Sequence, residues 1–192
     1  MTGVQTCALP ILLLIGAEQQ QPAAPKLVRS ATLARDVNGF ALGMTIANLR
    51  KRMALTHVDG EVFTGKLDSV NYEFGITPLG RVYRIQSSQP LGRFNLDRTF
   101  TLGLSAKLER KYGPAESNQL PEGPMSWSLI EKVTHSDGTI LPFTTMTVDA
   151  DVSDDRGMQS LQIRMQDYRI LWADTQRLNK QPRDEADGKL SF

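Results

Sequence analysis

Residues 97–114 read DRTFTLGLSAKLERKYGP, and this stretch decides the fold class. Phe100, Leu104, Leu108 and Tyr112 recur every four residues, which is the spacing of one face of an α-helix, and Leu102 and Ala106 widen that stripe. Asp97 stands where an N-cap would accept a backbone N–H from the first turn. Lys107, Arg110 and Lys111 fill the final turns, where cations suit the negative end of the helix dipole. Gly113-Pro114 is a stop, because Gly takes the left-handed conformation past a helix end and Pro cannot continue it. The spacing predicts a helix over 97–112 with Leu104 at the centre of its buried face and Lys107 toward solvent.

An earlier segment repeats the theme. Leu42-Gly43-Met44-Thr45 leads into Ile46, Leu49 and Met53, an i, i+3, i+7 stripe with Thr45 as N-cap. Arg50, Lys51 and Arg52 load its C-terminal half and read as a solvated helix end. Strand patterns follow each helix. Val58–Phe63, Leu67–Phe74 and Arg81–Gln86 come after the first, with a Pro78-Leu79-Gly80 turn. Met125–Val133, Phe143–Val152 and Met158–Tyr168 come after the second, and Leu161, Ile163 and Met165 alternate in the last. Asp154-Asp155-Arg156-Gly157 reads as a hairpin turn. The fold class expected is α+β: two helix-plus-antiparallel-strand modules, about 39–90 and 91–174, with the helices packed on one face of an antiparallel sheet.

The helix start Leu42-Gly43-Met44-Thr45, and a helix ending Lys111-Tyr112-Gly113-Pro114 before a strand containing Trp127, resemble the helix–strand repeats of BamE-like outer-membrane assembly lipoproteins and of the β-lactamase-inhibitor-protein fold. The resemblance covers roughly residues 39–170 and rests on short capping motifs. It implies a tandem arrangement, and it speaks to fold more than to function. The chain departs from the lipoproteins at its single cysteine, because Val4-Gln5-Thr6-Cys7 is a poor lipid-attachment box. It resembles a periplasmic relative rather than either group.

The N-terminus supports that compartment. Residues 1–11, MTGVQTCALPI, resemble the translation of a common sequencing adapter and are expected to stand in place of the native start. Residues 12–17 complete an apolar run, Ile11 to Ala17, far short of the ~20 residues that cross a bilayer, with the small residues Gly16 and Ala17 at its end. This resembles the back half of a secretory signal peptide. Residues 18–38, with Gln19-Gln20-Gln21, Pro22 and Pro25, read as a flexible leader. Residues 1–38 are then expected to be dispensable for folding. Residues 175–192 read as a polar, frayed tail. The localisation expected is the periplasm.

Composition narrows the function classes. The chain has 192 residues, 40% of them hydrophobic and 22% charged, enough apolar residue to bury a core. Twenty-two Lys and Arg against 21 Asp and Glu leave a net charge of +1. That balance argues against nucleic acid as a partner, since phosphate neutralisation needs a basic excess. No stretch is long and apolar enough for a transmembrane segment. With Cys7 the sole cysteine, disulfides, Cys-based zinc sites and a cysteine nucleophile are set aside.

No convergent set of catalytic residues emerges. The two histidines lie in repeated His-x-Asp-Gly contexts, His57-Val58-Asp59-Gly60 and His135-Ser136-Asp137-Gly138, which read as surface turns. The acidic run Asp149–Asp155 fails the calcium-loop pattern, which needs Gly at position six and Glu at position twelve, where this chain has Asp154 and Ser160. Phe100, Tyr112 and Trp127 read as core, and Trp172 as partly exposed. The expectation is no catalytic, cofactor-binding or metal residue, no cofactor, and a non-enzymatic module presenting its sheet face or a loop edge to another envelope protein. The alternative is a cell-envelope hydrolase using Asp/Glu residues. A deep pocket with two carboxylates favours the hydrolase, and a flat or concave apolar sheet face favours the binding module.

Overall fold

Asn38-Gly39 forms the first hairpin turn among the described residues. Both residues have positive φ, 51° and 83°, as a two-residue hairpin turn requires. The turn folds β1 (Asp36–Val37) onto β2 (Phe40–Ala41), with Val37 opposite Phe40. Thr45 then caps α1 (Ile46–Arg50), accepting the Asn48 N–H as its sequence context predicts. The computed structural model describes residues 33–92, 98–134, 140–155 and 158–188.

Eight further strands form one antiparallel sheet: β3 (Leu55–Asp59), β4 (Val62–Leu67), β5 (Val70–Ile76), β6 (Val82–Gly92), β7 (Ser117–Asn118), β8 (Met125–Thr134), β9 (Ile140–Asp155) and β10 (Met158–Asp167). Helix α2 (Arg98–Tyr112) lies between β6 and β7 in sequence, and α3 (Tyr168–Gly188) follows β10. The sheet order is β3-β4-β5-β6-β10-β9-β8-β7. Each run of four strands is a meander, and the two runs meet where β6 pairs with β10.

Register explains which face is buried. Side chains alternate along a strand, so directly opposed residues stack into rows across the sheet. Phe74, Ile85, Met165, Val148 and Trp127 form one such row across five strands, and Tyr72, Ser87, Ile163, Ala150 and Met125 form the next. All ten are buried. The same core takes Val37 and Phe40 from the hairpin, Leu49 from α1, Leu108 and Tyr112 from α2, and Ile170 from α3. Phe40 packs edge-on against Tyr72 and Phe74, with ring centroids 4.8 and 5.4 Å apart. Tyr112 packs on Trp127 at 5.3 Å, and the Trp127 indole N–H donates to the Gly113 carbonyl at 2.8 Å.

The α+β class with an antiparallel sheet holds, but the two-module expectation does not. The chain is mostly strand, with three helices among the described residues, one of them only five residues long. The β6–β10 ladder merges both strand runs into one continuous sheet with one shared core, so neither run has a core of its own. Residues 33–38, read as the end of a leader, supply buried Leu33 and Val37. Residues after 174, read as a frayed tail, continue α3 to Gly188. The adapter-like, signal-like and earlier leader residues, and Asp97, lie outside the described residues.

Helix α2 ends as predicted, with the Gly113 N–H bonded to the Glu109 carbonyl at 2.8 Å. Its buried face is rotated from the expected one. Leu102 is 60% exposed, Ala106 is exposed and Leu104 only partly buried, whereas Ser105, Leu108 and Tyr112 are buried. The helix is anchored at its C-terminal end by buried Leu108 and Tyr112, and Leu104 packs against the edge of the core only in part.

Two measurements test this packing. Leu108→Ala should cost about 2–5 kcal/mol in urea unfolding and Leu104→Ala distinctly less, because only Leu108 leaves an enclosed cavity. Equal costs would contradict the rotated face. A chain beginning at Gly39, deprived of Leu33 and Val37, should melt at least about 5 °C below the full chain, since each buried aliphatic side chain contributes roughly 1.5–3 kcal/mol.

Candidate functional site

Among the described residues, two surfaces are left uncovered by the packing. The first is the outer face of the sheet. Thr56, Thr64, Glu73, Gln86, Arg164, Asp149, Ser126 and Ser117 are opposed in one row that crosses all eight strands, and every one is polar. A cleft of about 640 Å³ opens on this face over β3 to β6, lined by Thr56, Thr64, Lys66, Asn71, Glu73, Gln86 and Ser88 among others. Glu73 is its one carboxylate, and it accepts a hydrogen bond from the Arg84 guanidinium at 2.8 Å. The face is thus polar where an apolar face was the expected mark of a binding module. The cleft likewise lacks the paired carboxylates expected of a hydrolase.

The residues singled out by chemistry fall apart in space. His57 sits on the edge strand β3 with its Nε2 2.7 Å from the Gly60 carbonyl oxygen, and its ring tilts against Phe63. It therefore closes a turn, as the sequence context suggests. His135 lies outside the described residues. The acidic run is strand β9 rather than a loop, so its members alternate between faces. Asp149 accepts from the Ser126 hydroxyl at 2.8 Å, and Asp151 accepts from the Val152 N–H at 2.8 Å. Among the described residues no three His, Cys, Asp or Glu side chains gather as a metal-binding group. No helix among them is long and apolar enough to cross a membrane.

The second surface is aromatic. Trp172 is 67% exposed, Phe143 50% and Tyr168 38%. Tyr168 and Trp172 are four residues apart on α3 and so share a face. Phe143 on β9 meets Tyr168 edge-to-face at 6.5 Å. Large exposed aromatics in one place are costly to leave in water and mark contact surfaces. Of these three residues, only Trp172 stands out in the sequence as a candidate for exposure. Phe143 reads as sharing a strand face with Thr145, Thr147 and Asp149, and Tyr168 as the end of the strand that alternates through Leu161, Ile163 and Met165.

Buried ions fix this patch in place. Asp167, fully buried, precedes the first turn of α3 and accepts the Arg169 backbone N–H at 2.9 Å. Its carboxylate also pairs with the Arg169 and Arg35 guanidinium groups, and Arg169 reaches Glu131 at 2.8 Å. The hydrogen bonds that the Arg169 guanidinium donates to Asp167 hold its pKa above its ordinary value. Asp174, equally buried about two turns on, is gripped by Arg81 and by the Thr77 hydroxyl, the latter at 2.6 Å. Hydrogen bonds from Arg81 hold its carboxyl below the usual carboxylate range, against the opposing effect of burial. The two carboxylates thus lock α3 to β10 and to the β5–β6 turn.

No protein family, no curated protein and no solved structure matches this chain.

The lock has a pH signature. The folded pKa of Asp174 lies below its unfolded value, so its stabilisation is complete above the unfolded value of ~3.9 and is lost as pH falls through the folded one. Asp174→Asn should cost about 2–3 kcal/mol at neutral pH. Its deficit against the unmodified chain should shrink steadily in urea titrations below pH 4. A deficit that is absent at neutral pH, or unchanged in acid, would show that the pair does not hold α3.

Proposed function

We propose that this protein is a non-enzymatic interaction module of the periplasm that binds another envelope protein through the aromatic surface of Phe143, Tyr168 and Trp172. The observation that carries the reading is that patch, three exposed aromatic side chains mounted on a strand and a helix that buried ion pairs hold rigid. Trp and Tyr supply large contact area with few rotatable bonds, and they dominate the energetics of protein interfaces. Exposed Trp172 gives a partner's pocket something to enclose, and Tyr168 offers a hydroxyl for orientation. The apolar run ending at Ala17 supports export, and the capping motifs that resemble BamE-like repeats favour an envelope-assembly setting. The hydrolase reading has less behind it, because the cleft on the polar face offers Glu73 as its one carboxylate.

Site-specific photocrosslinking tests the reading in cells. A photoreactive amino acid at position 172 should trap one discrete envelope protein, and the same group at Lys107, exposed on α2, should not. With that partner purified, Trp172→Ala should weaken binding at least tenfold, corresponding to more than about 1.4 kcal/mol, while leaving the melting temperature unchanged, because the side chain packs little. Full binding by Trp172→Ala would defeat the proposal, and so would recovery of the chain with cytoplasmic rather than periplasmic proteins.

A further inference from the structure

The sheet ends differently on its two sides. At one end β7 is two residues long, and at the other β3 presents a five-residue edge whose last four residues are exposed. His57 opposes Phe63 and Asp59 opposes Val62, so Val58 has no counterpart on β4 and bulges from the ladder with its side chain 60% exposed. An open edge is a row of unpaired backbone donors and acceptors, a template for another strand.

Charge is sorted along this edge. Arg50 and Lys51 end α1 just before β3 begins, and Lys66 follows Gly65, the residue opposite Leu55. Asp59 and Glu61 stand at the other end of the strand. All five side chains are exposed, and none forms an ion pair with another described residue. Their neighbour Arg52 differs, since it donates to the Gly39 carbonyl and lies over the Phe40 ring at 5.7 Å. The edge therefore carries a free basic end and a free acidic end.

We propose that β3 pairs antiparallel with β3 of a second copy of this chain, about a two-fold axis near His57. That operation sets the basic end of each copy against the acidic end of the other, so the complementarity is satisfied twice by one surface. A pairing centred on His57 places Thr56 opposite Val58 and buries the bulged valine. A parallel pairing would oppose like charges at both ends. The two-fold closes on itself, because the same edge serves both copies. One five-residue strand pair falls below the ~1,200 Å² of stable interfaces, so the dimer is weak and fills only at high protein concentration. This inference is independent of the aromatic patch, which lies on β9 and α3, with four strands between β3 and β9.

Sedimentation velocity on the full chain, up to near-millimolar protein, tests it. The unmodified chain should dimerise in low salt and dissociate in about 1 M salt, where the screening length is ~3 Å. Lys51→Glu alone and Asp59→Lys alone should each weaken self-association about tenfold or more. A one-to-one mixture of the two variants should restore dimers, because each then faces only opposite charges. Val58→Lys, read beside them, should be monomeric while melting like the parent. A chain that stays monomeric throughout in low salt would overturn the proposal. So would variants that dimerise like the parent, or a mixture that fails to recover the dimer.

Discussion

The ladder between β6 and β10 is the constraint on which the rest of the structure depends. It joins the last strand of one meander to the last strand of the other, in antiparallel register from Arg84 opposite Gln166 onward. Through that single seam, Ile85 and Met165 become neighbours, and a row of buried side chains runs unbroken from Phe74 to Trp127. A slip of one residue would turn each apolar side chain of one half to water and each polar one to the core. The hairpin and the buried parts of the three helices rest on the surface this seam creates.

The same seam places the ions. Asp167 ends β10 on the buried side, in register with Met146, and α3 begins at the next residue. A carboxylate there would be costly unless paired, and Arg35 and Arg169 pair it. Asp174 is satisfied in the same way by Arg81, from the turn region leading into β6. Removing either partner would strand a charge in the interior, so the helix is held by directional bonds as well as by Ile170. A rigid α3 is what allows Tyr168 and Trp172 to stand exposed in a defined geometry, which is the physical basis for reading them as a contact surface.

Local signals were legible in the sequence where the physics is local. The end of α2 at Gly113-Pro114, the Thr45 cap and the alternation of Leu161, Ile163 and Met165 are all properties of a few neighbouring residues. The Asn38-Gly39 hairpin was equally readable, yet it was masked by the polar, Pro-containing segment before it. Helix α3 was harder to see. Its buried stripe runs from Ile170 to Asp174, and an acidic residue in a core position breaks the apolar pattern on which such readings rest.

The sequence by itself determined the α+β class, the approximate spans of α2 and of β8 to β10, and the turn beside His57, because capping, turn chemistry and two-residue alternation act within a few residues. Only the tertiary structure decided that the strands form one sheet, that α2 buries Ser105 beside Leu108 and leaves Leu104 partly covered, and that Phe143, Tyr168 and Trp172 lie on one exposed surface. Those outcomes depend on which strand lies beside which and on an Arg–Asp pair, Arg81 with Asp174, 93 residues apart in the chain. Hydrophobic periodicity tells a residue that it has an apolar face, but only the partner across the seam tells that face whether it is covered.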